Sequence, residues 1–151
     1  MSLIDRITEN IKTAMKAKDK VRLEAVRSIK KVLIEKEVSV RPSGQTELTP
    51  EQEMDALVTI AKQRRDSIEQ YTKANRPDLA DIEALELAII EEFLPSQLSE
   101  DEIGAAIDAI IAKVGATSAK DLGKVMGPAM QQMKGKTDGK KVQDAVKARL
   151  S

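Results

Sequence analysis

The chain has 151 residues, enough for one ordinary domain or two small ones, with 25 basic and 25 acidic residues and no net charge. It contains no Cys, His or Trp, and a single Tyr and a single Phe, which excludes a disulfide framework and both thiolate and imidazole catalysis. No apolar run approaches the roughly 20 residues of a membrane span, and Asp5, Arg6, Glu9, Asn10 and Lys12 interrupt any apolar leader, so a protein of a reducing cytoplasm, off the membrane, is expected.

Apolar residues recur at helical spacing along nearly the whole chain. Ile4, Ile7, Ile11 and Ala14 form a first stripe, and Leu23, Val26, Ile29 and Leu33 a second, widened by Val32 and Ile34. After a loop around Gly44, Thr49-Pro50-Glu51-Gln52 carries a capping threonine, a proline at the first helical position and a glutamine at the third. A third stripe follows, built from Met54, Leu57, Val58, Ala61, Ile68 and Tyr71. Pro77 opens a fourth, with Leu79, Ile82, Leu85, Ala88, Ile89 and Phe93 as its apolar face and Glu83, Glu86, Glu91 and Glu92 as a solvated acidic one. Pro95 denies Leu94 a comfortable helical conformation and ends that helix.

Beyond Pro95, Ser99-Glu100-Asp101-Glu102 reads as a second capping box, with its acids at the positive end of the helix dipole. Ser118 with Asp121 is a weaker third one, and Gly115 and Gly135 mark helix ends that need a left-handed residue. Gly127-Pro128 interrupts the run 119–134, so a kink or two short helical pieces are expected there under the side chains of Met126, Met130 and Met133. The fold class is therefore all-α, with an N-terminal four-helix unit over residues 1–95 and a small three-helix C-terminal domain over 96–151.

The charge is uneven, at +4 over residues 1–48, −6 over 49–95, −3 over 96–117 and +5 over 118–151. In the last segment Gly135 ends one helix, Thr137 or Asp138 caps the next, and Gly139 lets the backbone approach something closely. Lys134, Lys136, Lys140 and Lys141 cluster there, with Lys120, Lys124, Lys147 and Arg149 in support. A helix start beside lysines suits a phosphate, although solvated lysines around a tight turn are the simpler reading. The pattern is no nucleotide loop, since the GxxxxGK[ST] sequence and a preceding strand are both missing. In the −6 segment, Lys62 with Asp66 and Arg65 with Glu69 are spaced to pair along one helix. Alternatively, Arg64 and Arg65 form structural ion pairs with Asp81, Glu83 or Glu86 of the next helix. Tyr71 and Phe93 lie on apolar stripes, leaving no ring to stack bases, so any RNA contact would follow backbone and shape.

KQRRDSIEQY at 62–71, RPDLA at 76–80, EALELAIIEEFLP at 83–95, SQLSEDEI at 96–103, DLGKVMG at 121–127 and GKTDGKKV at 135–142 together resemble the YqeY family. After Pro95 the chain resembles the tail domain of the B subunit of the tRNA-dependent amidotransferase. Gln143, where a smaller polar residue such as Asn is expected, and Pro128 depart from that pattern. The resemblance implies an all-α, tRNA-associated accessory protein without catalytic residues, cofactor or metal. Its partners would be a tRNA, an aminoacyl-tRNA synthetase or an amidotransferase. The competing reading is a helical protein–protein interaction adaptor, which needs an exposed apolar surface.

Overall fold

The computed structural model describes residues 2–151. Seven α-helices run in chain order: α1 Leu3–Ala17, α2 Lys20–Val40, α3 Pro50–Lys73, α4 Pro77–Glu91, α5 Glu100–Val114, α6 Leu122–Gln132 and α7 Gly139–Leu150. Short 3-10 turns at Arg41–Ser43 and Ala119–Asp121 precede α3 and α6, and no strand occurs among the described residues. Contacts divide the chain into two units, Met1–Leu94 and Pro95–Ser151.

Local chemistry sets the helix ends. Thr49 Oγ1 accepts the Gln52 N–H while Gln52 Oε1 accepts the Thr49 N–H, so two otherwise orphaned donors are satisfied. Ser99 and Glu102 close the same reciprocal pair on α5. A third box, Ser2 with Asp5, starts α1, and the Asp19 carboxylate caps α2 through the Arg22 N–H. The Ser118–Asp121 pair is not a box: Asp121 turns back to accept from Thr117, and Ser118 accepts from Lys120 in the 3-10 turn. Gly115 and Gly135 both hold positive φ, where a Cβ would be strained.

The N-terminal unit closes around Ile7, Val26, Ile29, Leu33, Leu57, Ile60 and Ile90, all buried. α4 packs against both α2 and α3 in this unit. The sequence expectation for α4 requires correction. Its buried residues are Ala80 and Ile90, whereas Ile82 is 48% and Leu85 is 56% exposed. Glu83 and Glu86, expected on a solvated acidic face, lie on the inner side, 20% and 14% exposed.

The C-terminal unit has a separate core of Ile103, Ile107, Ile110, Val125, Ala129, Met133, Val142, Val146 and Leu150. α6 runs through Pro128 as one helix, so the expected break into two pieces is not seen. Proline forfeits one hydrogen bond, to the Lys124 carbonyl, at about 3 kcal/mol in a helix interior. The burial of Val125 and Ala129 on either side holds the helix together.

Candidate nucleic-acid interface

The basic corner between α6 and α7 is braced from within the C-terminal unit. The Leu98 N–H donates to the Lys136 carbonyl at 2.8 Å, and Gln97 Nε2 donates to the Gly135 carbonyl at 2.9 Å. The turn therefore has a fixed backbone, and the Gln97 amide is a part of the site that sequence reasoning passed over. Only its place just after the Pro95 stop hinted at a structural task. Around this turn Lys134, Lys136, Lys140 and Lys141 are solvent-exposed, as are Lys120 and Lys147.

Two features expected to favour phosphate are already occupied by the protein. The Asp138 carboxylate caps α7 by accepting the Lys140 N–H at 3.2 Å, so an anion already sits at the helix start. A Cβ on Gly139 would lie 2.9 Å from Met130 Cε, so the close approach this glycine permits is to a methionine side chain. Any anion must then be held by lysine ammonium groups and not by a backbone cradle.

The supporting residues divide. Lys124 pairs with Asp121 at 3.6 Å. Arg149 Nε reaches Asp108 Oδ1 of α5 at 2.6 Å, and its guanidinium lies over Gly104, where an added Cβ would stand 2.5 Å from Nη2. Arg149 is thus a tie between α7 and α5. Gly104 was the available signal, because a glycine inside a capped helix calls for a close neighbour. Lys141 and Arg149 also line a cleft of about 400 Å³ with Glu100 and Asp144, whose carboxylates oppose an incoming anion.

The paired arginines behave differently from each other. Arg64 Nε lies 2.9 Å from Glu86 Oε2 and 3.5 Å from Glu83 Oε2, and its Nη2 donates to Ser28 Oγ at 3.4 Å, joining α3 to α4 and α2. The contact to Glu86 is close yet poorly aligned, so neither Arg64 Nε nor Glu83 Oε2 has a well-directed hydrogen bond. Burial pushes the Glu86 carboxyl up from its ordinary value of 4.5; Arg64 pulls it down, and Glu83 and Glu24 push it further up. The expectation that Arg65 shares the inter-helix pairing is not met. No ion pair to Arg65 is found among the described residues, and Glu69 pairs with Lys73 at 3.0 Å. One turn position separates the two arginines by about 100° around the helix, so only one can face α4.

Because the fold favours the neutral form of Glu86, Glu86→Gln is expected to change stability by less than about 1 kcal/mol at neutral pH. A raised folded-state value means that the contribution of Glu86 is fully present below 4.5 and is lost as pH rises through the elevated value. The parent should therefore gain on the variant as pH falls from 7 toward that range, read from urea melts across pH. A large loss at neutral pH, unchanged on acidification, would refute this assignment.

The two aromatic rings are both half-buried. Phe93 packs on the N-terminal core with the Arg6 guanidinium 5.5 Å from its centroid, while Tyr71 lies outside that core. Both rings belong to the N-terminal unit, whereas the lysine corner belongs to the C-terminal one. Among the described residues no group of three or more His, Cys, Asp or Glu could hold a metal ion, and no helix is long and apolar enough to cross a membrane.

These features define a small all-helical protein whose prominent site is a charged surface. The chain belongs to the YqeY family: the model of the Yqey-like protein family matches residues 4–150. It is similar to the mitochondrial "altered inheritance of mitochondria protein 41" of Lachancea thermotolerans, 32% identical over 114 residues that cover 74% of this chain and 59% of that protein. The protein of the same name from Kluyveromyces lactis is 29% identical over 150 residues, covering 96% of this chain and 74% of that protein. The one from Pyrenophora tritici-repentis is 25% identical over 156 residues, covering 97% and 82%. The chain spans less than two thirds of the Lachancea protein's own length. The relatives are named as mitochondrial, which overturns the expectation of a cytoplasmic protein. That expectation rested on the lack of cysteine and of a leader-like apolar run, and neither feature distinguishes one reducing compartment from another.

Proposed function

We propose that the chain is a tRNA-associated accessory protein whose C-terminal domain, residues 96–151, meets the phosphate backbone of tRNA through its lysine corner. The observation that carries this reading is the cluster of exposed Lys134, Lys136, Lys140 and Lys141 on a turn whose backbone is pinned by Gln97 and Leu98. A fixed turn presents several ammonium groups without the cost of ordering the backbone, and phosphate contacts of this kind position a ligand without reading its sequence. Lys120 and Lys147 extend the surface, whereas Lys124 and Arg149 contribute less because Asp121 and Asp108 hold them. The resemblance of residues after Pro95 to the amidotransferase B-subunit tail supports tRNA as the nucleic acid. The chain lacks Cys and His, and no amide transfer is assigned to it alone.

The test compares the parent with a variant carrying glutamine at positions 134, 136, 140 and 141, against bulk and mitochondrial tRNA at several salt concentrations. Parent affinity should fall with salt at a logarithmic slope of about −0.7 to −0.9 per contact, and the four-residue change should flatten that slope by about three. The loss should be similar for different tRNAs. Equal binding by both proteins, or no binding by the parent at low salt, removes the tRNA reading and leaves the protein-interaction adaptor as the better one.

A further inference from the structure

The turn between α1 and α2 holds lysines where local stability disfavours them. Lys18 has φ 55° and ψ 33°, the left-handed conformation in which a side chain crowds the backbone. Among the described residues the other positive-φ positions are Gly44, Gly115, Gly135 and Asn75, residue types that tolerate it. The Lys18 N–H donates to the Ala14 and Met15 carbonyls, bonds that any side chain at this position would leave in place, so the turn needs the conformation and not the ammonium group. Lys20 opens α2 at the positive end of its dipole, and that first turn holds no acid. Two neighbouring lysines set against their local preference mark a role outside the stability of the fold.

Lys16, in the last turn of α1, joins them, and all three are solvent-exposed. Among the described residues no acid pairs with Lys16, Lys18 or Lys20, whereas Lys12 is held by Glu9 at 3.7 Å and Arg22 by Glu92 at 2.8 Å. The carboxylate inside the turn, Asp19, accepts the Arg22 N–H at 3.1 Å and is committed to the α2 cap. The make-up of the patch restricts its ligand. Ammonium groups on flexible stems, with no free arginine fork beside them, suit phosphate oxygens as point charges and lack the bidentate match to a carboxylate. Met15, 54% exposed, is the large apolar side chain open to solvent here, and one such residue is too little surface to anchor a bilayer or seat a protein partner.

We infer that the α1–α2 turn is a second contact for the phosphate backbone of RNA, made by Lys16, Lys18 and Lys20 in the N-terminal unit. It deepens the tRNA reading and rests on it for the kind of nucleic acid, but it uses none of the lysines of the C-terminal unit. Its contacts are electrostatic and carry no base specificity.

The test uses the full chain with bulk tRNA at several salt concentrations, and vesicles of mixed phosphatidylcholine and phosphatidylserine as the competing surface. A Lys16→Gln, Lys18→Gln, Lys20→Gln variant should keep parental helicity, since all three positions are exposed, and should flatten the logarithmic salt slope by about two to three. Lys18→Gly alone should raise the melting temperature, on the order of a few degrees, because glycine suits the left-handed position, yet flatten the slope by about 0.7–0.9. Stability and binding then move in opposite directions, which a purely structural lysine cannot produce. A slope unchanged in the triple variant, while glutamine at positions 134, 136, 140 and 141 still flattens it, overturns the inference and leaves the tRNA reading standing. A Lys18→Gly chain that melts higher with its slope unchanged also overturns it. So does vesicle binding by the parent that the triple variant loses without any change in tRNA slope, because the turn would then meet a membrane surface. A slope that falls in the triple variant but not in the four-residue one supports this contact and removes the lysine corner. No tRNA binding by the parent at low salt removes both.

Discussion

Arg64→Met is expected to lower the stability of the N-terminal unit by about 2–4 kcal/mol, a fall in melting temperature on the order of 10 °C or more. The substitution keeps most of the stem volume and removes the cation that faces Glu83 and Glu86. Those carboxylates are 20% and 14% exposed, too enclosed for water to replace the guanidinium fully. The partial exposure is the reason for a figure at or below that for breaking a fully buried pair. Glu24 also acts on Glu86, so the variant would hold three mutually repelling acids near one another.

The same logic fixes the pH dependence. Without Arg64 the Glu86 carboxyl loses the cation that pulls it down and should rise further above its ordinary value in the folded state, so its protonation favours folding. The deficit should be largest at neutral pH and should shrink as pH falls through that raised value toward the ordinary 4.5. Chemical denaturation of parent and variant at pH 7 and pH 5 measures it. A deficit under about 0.5 kcal/mol, or one equal at both pH values, would mean that the ion pair does not orient α4.

Ile107→Ala should have a comparable effect in the other unit. Ile107 is fully buried in the core of Ile103, Ile110, Val125 and Val146. Truncating such a residue costs about 2–4 kcal/mol through lost burial and the cavity left behind. A three-helix unit confined to Pro95–Ser151 has little stability in reserve, on the order of 3–5 kcal/mol for so small a core. Hydrogen exchange should show α5, α6 and α7 losing most of their protection in the variant while α1 to α4 keep theirs, because the two cores are built from separate residues. Protection retained throughout, or lost in both units together, would count against two independent cores.

What the sequence carried on its face was local. The reciprocal hydrogen bonds of Thr49 with Gln52 and of Ser99 with Glu102 join groups three residues apart, so the spelling of the segment contains both partners. Gly115, Gly135 and Pro77 act through their own backbone conformation, and they are found where a left-handed cap or a helix start was read. The all-helical class follows from the same short-range periodicity, as does the burial of Val26, Ile29 and Leu33 on α2, whose outer face is amply charged.

The lysine corner was legible as composition and only partly as a site. Its clustering is local, but the brace from Gln97 reaches across 38 residues and the Arg149 tie to Asp108 across 41. Nothing in either neighbourhood names a partner so distant. Met130 beneath Gly139 is the same kind of contact: the glycine signalled a close approach and left its object open.

The sequence by itself determined where helices begin and end, because caps, prolines and left-handed glycines satisfy or withhold backbone hydrogen bonds within a few residues. Only the tertiary structure decided how α4 is turned about its axis. Acidic and apolar residues are both spread around that helix, so its periodicity has no strong preference for one face. Arg64, which needs carboxylates once it is enclosed between helices, draws Glu83 and Glu86 inward and leaves Ile82 and Leu85 in water.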